Sequence, residues 1–585
     1  MNSTTIESTF VRALPLAELE TAACQTVNLN GHTLALWYVG GQVYAVDNRC
    51  PHMGFPLDRG SVKDGILTCH WHHARFDLES GGTFDQWADD VRAFPVEIRD
   101  GEVWVDLTSQ RDAKAHQRER LQVGLERNLS LVVGKAVLTL VDGADVRTAV
   151  DPFRIGLEFG TRYRNAGWGQ GLTILACLMN LLPHLDETDR PRALYNGLSA
   201  VASDTFGSSP RFMVRPLPDT TADIPTLKRW FRQFIEVRDD EGAERCIISA
   251  IEAGATPQQM ADILFTAVTD HRYIQIGHPA DFTNKAFEAL DIVGWEYAKP
   301  VLTSLVTGYA QAGRMEESNS WRHPIDLIEI LHEAFEKLSD VVVAGEKKSG
   351  EWNGRNDLVP ILLDDDPQAS VDALLNSLNT GAGPVELAET VTYAAALRIA
   401  RFHTSNEFGD WDTALHTFTF ANAIMQGLRR APSAELLRGV FDAAMSIYLD
   451  RFLNIPAARI PSANGQVSQP DEILEQFPTL LNRQQQVNEA AELVSRYLGN
   501  SGEPDKLLAL LGRLLLREDR DFHTIQSVEA AFNLYSFLRG TEEGSHVLIA
   551  AARYLAAHSP TVRAQGQTYQ IAARLHRGEH LFESV

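Results

Sequence analysis

The sequence predicts a multidomain protein, with a small all-β domain followed by a large all-α domain. Three observations predict it. Over the first 107 residues, apolar and polar positions alternate in short runs cut by Gly and Pro turns. From about residue 150 onward the apolar period lengthens to that of a helix. The 585 residues allow about four units of roughly 150 residues, or one small domain and one large one. The expected boundaries are 1–108 for the β domain, 109–150 for a linker of ambiguous class and 151–585 for the helical domain.

In the β region, Gly31–Val39 alternates, Gly40-Gly41 turns the chain, and Gln42–Val46 returns. Val91–Ile98, Asp100-Gly101 and Glu102–Leu107 repeat the pattern, and an Asp-Gly pair between alternating runs signals a hairpin. Such short strands suit an antiparallel sandwich or barrel. Ala113–Gln122 is polar and reads as a linker helix. Val132-Val133 and Ala136–Val141 can be read as a last hairpin and stay ambiguous. Beyond 150, Thr256 reads as an N-cap, Pro257 as the first helical residue and Gln259 as the capping-box partner. Met260, Ile263, Leu264 and Val268 follow at helical spacing. Ala434–Phe452 and Leu507–Leu516 behave alike. Ser208–Pro225, Gly345–Asp357 and Ile460–Asp471 carry loop composition. The helices after 480 resemble a hairpin array without a fixed repeat period.

The charge is 53 − 77 = −24, which argues against nucleic acid and anionic lipid as partners. The start MNSTTIESTF lacks a signal-peptide pattern, and the most apolar run, Gly171–Leu182, is too short to span a bilayer. A cytoplasmic location is expected. Five cysteines in a long chain do not make a disulfide framework; Cys24, Cys177 and Cys246 read as small core residues.

The other two cysteines stand in a pattern. Cys50-Pro-His52 and Cys69-His-Trp-His72 form Cys-x-His, sixteen residues, then Cys-x-x-His. Each half offers one thiolate and one imidazole, so two halves can clamp a two-iron cluster. Zinc halves would use Cys-x2–4-Cys or His-x3–5-His, and neither is present. This stretch resembles the Rieske ferredoxin domain over roughly residues 10–107. The resemblance implies a [2Fe-2S] cluster with Cys50 and Cys69 on one iron and His52 and His72 on the other, and with His70 and His73 outside the ligand set. Respiratory Rieske proteins carry an extra, disulfide-bonded cysteine in each loop and a serine after the last ligand. Phe55, Trp71 and Ala74 stand here instead, which implies a low-potential centre of the kind that feeds oxygenases.

A Rieske centre moves one electron, and about 475 residues remain (585 − 110). They hold no dinucleotide fingerprint and no Walker motif, so an external reductase or ferredoxin is the expected electron donor. The acidic chain would be steered best by a basic or locally complementary face on that donor. Ring-hydroxylating oxygenases continue with a sheet-based iron domain, which the helical pattern here does not match, so their ligand triad is not carried over.

The helical region has candidates of its own. His271 and His278 lie seven apart, on one face if a helix persists that far. His403 and Glu407 are four apart, with Glu407 the candidate catalytic carboxylate, and His416 and His523 lie in polar-aromatic segments of apolar helices. Imidazoles with one carboxylate suit a non-haem iron that keeps a position open for O2 as co-substrate. Glu329-x-x-His332 occurs once, where a di-iron bundle needs it twice. Gly277-His-Pro with Phe282 and Glu288, Asp412-x3-His416 and Asp521-Phe-His523 resemble the order of histidine motifs in the questin-oxidase-like family. That family is helical and performs ring-opening oxidations on polyketide anthraquinones. The chain departs from it at Gln275 and at Asn196.

The reading is therefore a Rieske-type non-haem iron oxygenase acting on a small organic, aromatic or polyketide-like substrate. The alternatives are a Rieske electron-transfer or redox-sensing protein with a helical scaffold, and a haem-binding helical domain with His271 or His403 axial. A homo-oligomer is expected if cluster and second metal lie too far apart within one chain.

Overall fold

The structure is a computed structural model that describes residues 10–108, 112–143, 150–462, 469–579 and 581. The chain forms two compact units, Met1–Asp145 with Gln565–Val585, and Val146–Ala564.

The first unit is built on short antiparallel strands: β1 (Phe10–Pro15), β2 (Cys24–Leu29), β3 (His32–Val39), β4 (Gln42–Asp47), β5 (Ser61–Lys63), β6 (Ile66–Thr68), β7 (Arg75–Asp77), β8 (Ala93–Phe94), β9 (Val96–Arg99) and β10 (Glu102–Asp106). They pair as β1-β10-β9, β2-β3-β4-β8 and β5-β6-β7, three small sheets with no closed barrel among the described residues. Four hairpins close through two residues that both take positive φ: Asn30-Gly31, Gly40-Gly41, Asp64-Gly65 and Asp100-Gly101. That twist matches the strands, which is why Gly, Asn and Asp occupy these positions. The run 91–98 is not one strand. Pro95 has no N–H for a ladder, and there the chain leaves β4 as β8 and joins β10 as β9.

Two apolar clusters fill this unit. One gathers Leu14, Leu34, Leu36, Val103 and Val105, and the other surrounds Cys50 and Cys69 with Leu57, Leu67, Phe76 and Val91. Residues 130–141, open to a hairpin reading, are a helix (Ser130–Val141), and 113–126 form a second one capped by Asp112. Neither is a free linker. In the helix Ala113–Glu126, Arg120 donates to the carbonyls of Gln86 and Ala88, each at 2.7 Å, and Leu121 and Leu125 are buried beside it. The near-continuous apolar run of Ser130–Val141 reflects burial on several sides, which erases the period that tells helix from strand.

The second unit is helical throughout its regular elements. Thr256 and Gln259 form the expected capping box of Pro257–Val268. The loop expected from Gly345 starts later, since helix Leu327–Glu346 includes Gly345. A Cβ there would fall 1.8 Å from the Leu378 carbonyl oxygen, so glycine serves close packing at that position. The helices Gln170–Leu181, His278–Val293, Phe408–Arg430 and Phe522–Phe537 pack against one another at the heart of this unit. Among the described residues no helix is long and apolar enough to cross a membrane.

Candidate metal centres

The first centre lies on the loops that follow β4 and β6, and the two loops repeat one backbone design. The Cys50 amide donates to the Phe55 carbonyl and the Gly54 amide to the Cys50 carbonyl, both at 2.8 Å. The Cys69 amide donates to Ala74 at 2.8 Å and the His73 amide to Cys69 at 3.0 Å. Gly54 and His73 occupy the same left-handed position, φ +85° and +63°. His73 is thus a turn residue, one of the types that tolerate this region best. In each loop the amides two and three residues after the cysteine, His52 and Met53 or Trp71 and His72, point at its sulfur.

These loops bring Cys50, His52, Cys69 and His72 together. The sulfurs share a hydrogen bond that holds the Cys69 thiol down to about 6 and pushes Cys50 up, so Cys69 is the first of the two to offer a thiolate to a metal. The imidazoles of His52 and His72 stand 4.9 Å apart between centroids. Burial, with Lys135 and His72 nearby, lowers His52 to about 4, and its Nδ1 is buried without a partner. Two buried sulfurs facing two imidazoles, one of them with an orphaned nitrogen, fit a cluster bound by both cysteines on one side and both histidines on the other. The cysteines are buried and His72 is exposed, so the histidine end faces solvent within this unit. Phe55 and Trp71 have ring centroids 6.2 Å apart across the loops. All five cysteines are free.

Lys135, which sequence reasoning passed over, donates its Nζ to the carbonyls of Pro51 and His52. Arg49, next to Cys50, donates to the Leu575 carbonyl at 3.1 Å from the C-terminal helix Ala564–His576. The first loop is therefore fastened by two helices that lie far from it in sequence.

The second centre is in the helical unit. His278, His416 and His523 bring one nitrogen each to within 4.8 Å of one another. His416 Nδ1 donates to the Asp412 carbonyl one turn earlier at 2.6 Å, which leaves Nε2 as a lone pair. That Nε2 lies 3.3 Å from His278 Nε2. His523 Nδ1 lies 2.9 Å from Asp412 Oδ1, close but not aligned as a hydrogen bond, and His523 Nε2 is buried without a partner. Burial lowers His278 to about 3 and lowers His416 as well, so both are neutral and ligand-ready. Three converging imidazoles, one with an orphaned nitrogen, are a donor set for a transition metal. Phe282 and Phe522 flank His278, with centroids 5.4 and 5.7 Å away.

The backbone before His278 is contorted to place it. Tyr273, Gln275 and Ile276 take φ of 41°, 44° and 48°, and Gly277 takes 93°. Each non-glycine residue there costs about 1–2 kcal/mol. A Cβ on Gly277 would lie 2.8 Å from the Phe420 Cβ, so a side chain would push the His278 and His416 helices apart.

The other predicted ligands do not join this cluster. His271 and His278 do not share a helical face, because the left-handed stretch separates them. His271 sits between Glu316 (2.8 Å from Nδ1) and Glu236 (3.3 Å from Nε2), with both ring nitrogens engaged. His403 lies in the loop before helix Phe408–Arg430, its Nδ1 at 3.2 Å from Thr404 Oγ1. Glu407 is the exposed N-cap residue of that helix. The stop in the helix defeats the four-residue spacing of His403 and Glu407. The carboxylate at the site is Asp412, placed by its own i, i+4 relation to His416.

Comparison with known proteins adds the following. The Rieske [2Fe-2S] domain family matches residues 9–95. The ferredoxin component of the p-cumate 2,3-dioxygenase system of Pseudomonas putida is 32% identical over 80 residues, 13% of this chain and 68% of that protein. The ferredoxin component of the naphthalene 1,2-dioxygenase system of the same species is 28% identical over 100 residues, 17% of this chain and 96% of that protein. The vanillate O-demethylase oxygenase subunit of Pseudomonas sp. (strain ATCC 19151) is 40% identical over 72 residues, 11% of this chain and 22% of that protein.

Proposed function

Because the chain belongs through its N-terminal domain to the Rieske [2Fe-2S] family, we propose that it is the terminal component of an oxygenase. Cys50, His52, Cys69 and His72 would hold a [2Fe-2S] cluster, which would supply one-electron transfer from an external reductase or ferredoxin. His278, His416 and His523 would hold a non-haem iron, which would supply O2 activation, and a homo-oligomer is part of this reading. O2 is the co-substrate for oxidation of a small organic molecule. The observation that carries this reading is the convergence of three imidazole nitrogens around a common point. Three ligands leave positions open for oxygen and substrate. The Asp412 carbonyl orients the His416 ring, and its carboxylate stands 2.9 Å from His523 Nδ1. Phe282 and Phe522 give an apolar wall that shields the site from water and suits an aromatic ring.

Metal analysis with EPR on anaerobically purified protein tests the reading. Three irons per chain, with a rhombic Rieske signal and a separate high-spin signal, are expected. Two irons with one zinc would assign the histidines to Lewis-acid chemistry, since three histidines also hold catalytic zinc. Two irons alone would leave an electron-transfer protein, and a Soret band would reveal haem.

Two further outcomes are expected. Asp412→Ala should weaken metal binding at the histidine cluster by about 10–100-fold, as measured by titration with a competing chelator, while the Rieske signal is unchanged. In the first unit, Lys135→Met removes a cation beside the first loop and should lower the cluster midpoint potential in a potentiometric titration. The wild-type midpoint is itself expected well below about +200 mV, in the lower part of the known Rieske range.

A further inference from the structure

Behind the histidine cluster the helices His278–Val293 and Phe522–Phe537 face each other through a sequence of buried polar layers. Asp281 follows His278 by three residues and Gln526 follows His523 by three, so both fall one turn behind the ligands on the same faces. Gln526 Nε2 donates to Asp281 Oδ2. One further turn along, Lys285 Nζ donates to Glu529 Oε2 at 2.6 Å and to Glu288 Oε2 at 3.0 Å. Asn180, on Gln170–Leu181, then donates to Glu288 at 2.7 Å and to Glu529 at 2.9 Å. Asn180 and Glu529 also line a cavity of about 220 Å³ with Gln426 and Asn533. Asp281, Lys285 and Glu529 are only 2%, 1% and 3% exposed.

This much buried charge is costly, and packing alone is better served by apolar residues. Nothing in the ligand geometry of the site requires it. Several amide groups in the same region are also buried without a protein partner: Gln526 Oε1, Asn284 Oδ1, and both polar atoms of Asn422. Groups of this kind are satisfied by buried water.

We propose that Asp281–Gln526 and the Lys285–Glu529–Glu288 cluster form a proton-supply line from the Asn180 cavity to the histidine site. The inference rests on the oxygenase reading and supplies what that chemistry consumes. Inserting one oxygen atom of O2 into a substrate and releasing the other as water takes two electrons and two protons. The electrons come from the cluster, and the protons must reach a site walled by aromatic rings. In each transfer the Asp281 O–H bond breaks toward the site, and a proton from the cavity side re-forms it. These residues are neither oxidised nor reduced, and one proton leaves solvent for each delivered. Burial pushes Asp281 up to about 7, so its carboxyl can both hold and release a proton near neutrality. The groups facing it are Lys285 and Glu288 on its own helix, Gln526 and Glu529 opposite, and Cys177 on Gln170–Leu181.

The test uses the full-length, iron-loaded protein and the isosteric variants Asp281→Asn and Glu529→Gln. Infrared spectra should show the C=O stretch of a protonated buried carboxyl near neutral pH that is lost in Asp281→Asn. On transfer to D2O that band should shift quickly in the wild type and slowly in Glu529→Gln. With iron content unchanged, O2 consumption by the chemically reduced protein should fall about 100-fold in Asp281→Asn, with a larger solvent isotope effect in Glu529→Gln. Wild-type O2 consumption in both variants at full iron loading overturns the proton line and leaves the oxygenase reading standing. A wild-type protein without the third iron overturns the oxygenase reading and, with it, the delivery of protons to that site.

Discussion

Replacing His416 with alanine is expected to reduce the iron content to that of the cluster alone and to abolish O2-dependent turnover. Of the three imidazoles His416 is the most central. It lies within 4.8 Å, between ring centroids, of His278 and within 4.7 Å of His523, while those two are 5.9 Å apart. It also carries the clearest tautomer, since its Nδ1–H is committed to the Asp412 carbonyl. Without it two histidines remain, too few to hold a divalent metal against exchange at a site that keeps positions open. The Rieske EPR signal is expected to persist at full intensity, because its ligands stand in the other compact unit. His416→Gln separates ligation from packing, for it keeps the volume but not the donor and should lose iron as alanine does. Inductively coupled plasma analysis beside EPR checks both variants. Retention of the third iron in either would remove His416 from the ligand set.

Replacing Lys285 with methionine is expected to cost about 3–5 kcal/mol of stability in the helical unit, the range for breaking a buried ion pair from one side. The lysine is the shared cation of two carboxylates, and Glu529 is buried as deeply as Lys285 itself. Burial already raises the proton affinity of Glu529, with Lys285 holding that rise in check. In the variant, Glu529 binds its proton more tightly in the folded state than in the unfolded one. Its stabilising contribution is then complete below the unfolded carboxyl range and is lost as pH rises through the raised folded value. Denaturant unfolding should therefore show the variant closest to wild type in acid and furthest from it at neutral and higher pH. A penalty that does not change with pH would mean that lost packing, not uncompensated charge, is the cause. Lys285→Met joined with Glu529→Leu should recover part of the loss, since an apolar pair of similar volume replaces a charged one.

How much could be read in advance follows from how far apart the parts of each site lie. The residues proposed as cluster ligands lie within 50–72, and each half is a cysteine and a histidine within one tight turn, so spacing alone exposes them. The hairpins at Gly40-Gly41 and Asp100-Gly101 are legible for the same reason: both residues need positive φ, and few residue types accept it. The histidine site is assembled from segments near 278, 416 and 523. Polar-aromatic surroundings mark its members, as they also mark His403, and only the packing of three helices separates them. His271 illustrates the limit. Its seven-residue spacing from His278 presumes a continuous helix, and the positive-φ residues Tyr273, Gln275, Ile276 and Gly277 break it. Asp412 was visible as i, i+4 to His416, but its contact with His523 crosses between helices.

The sequence by itself determined the division into a β part and a helical part, the [2Fe-2S] ligand pattern, and the set of residues from which a second centre could be drawn. These depend on period, turn chemistry and ligand spacing, all local properties of the chain. Tertiary structure alone decided which histidines meet, that helices 113–126 and 130–141 and the C-terminal helix group with the β domain, and that charged residues of two helices stack behind the histidines. Those outcomes depend on contacts between residues tens to hundreds of positions apart. Such contacts follow from which faces must be buried together, and a linear pattern does not record that.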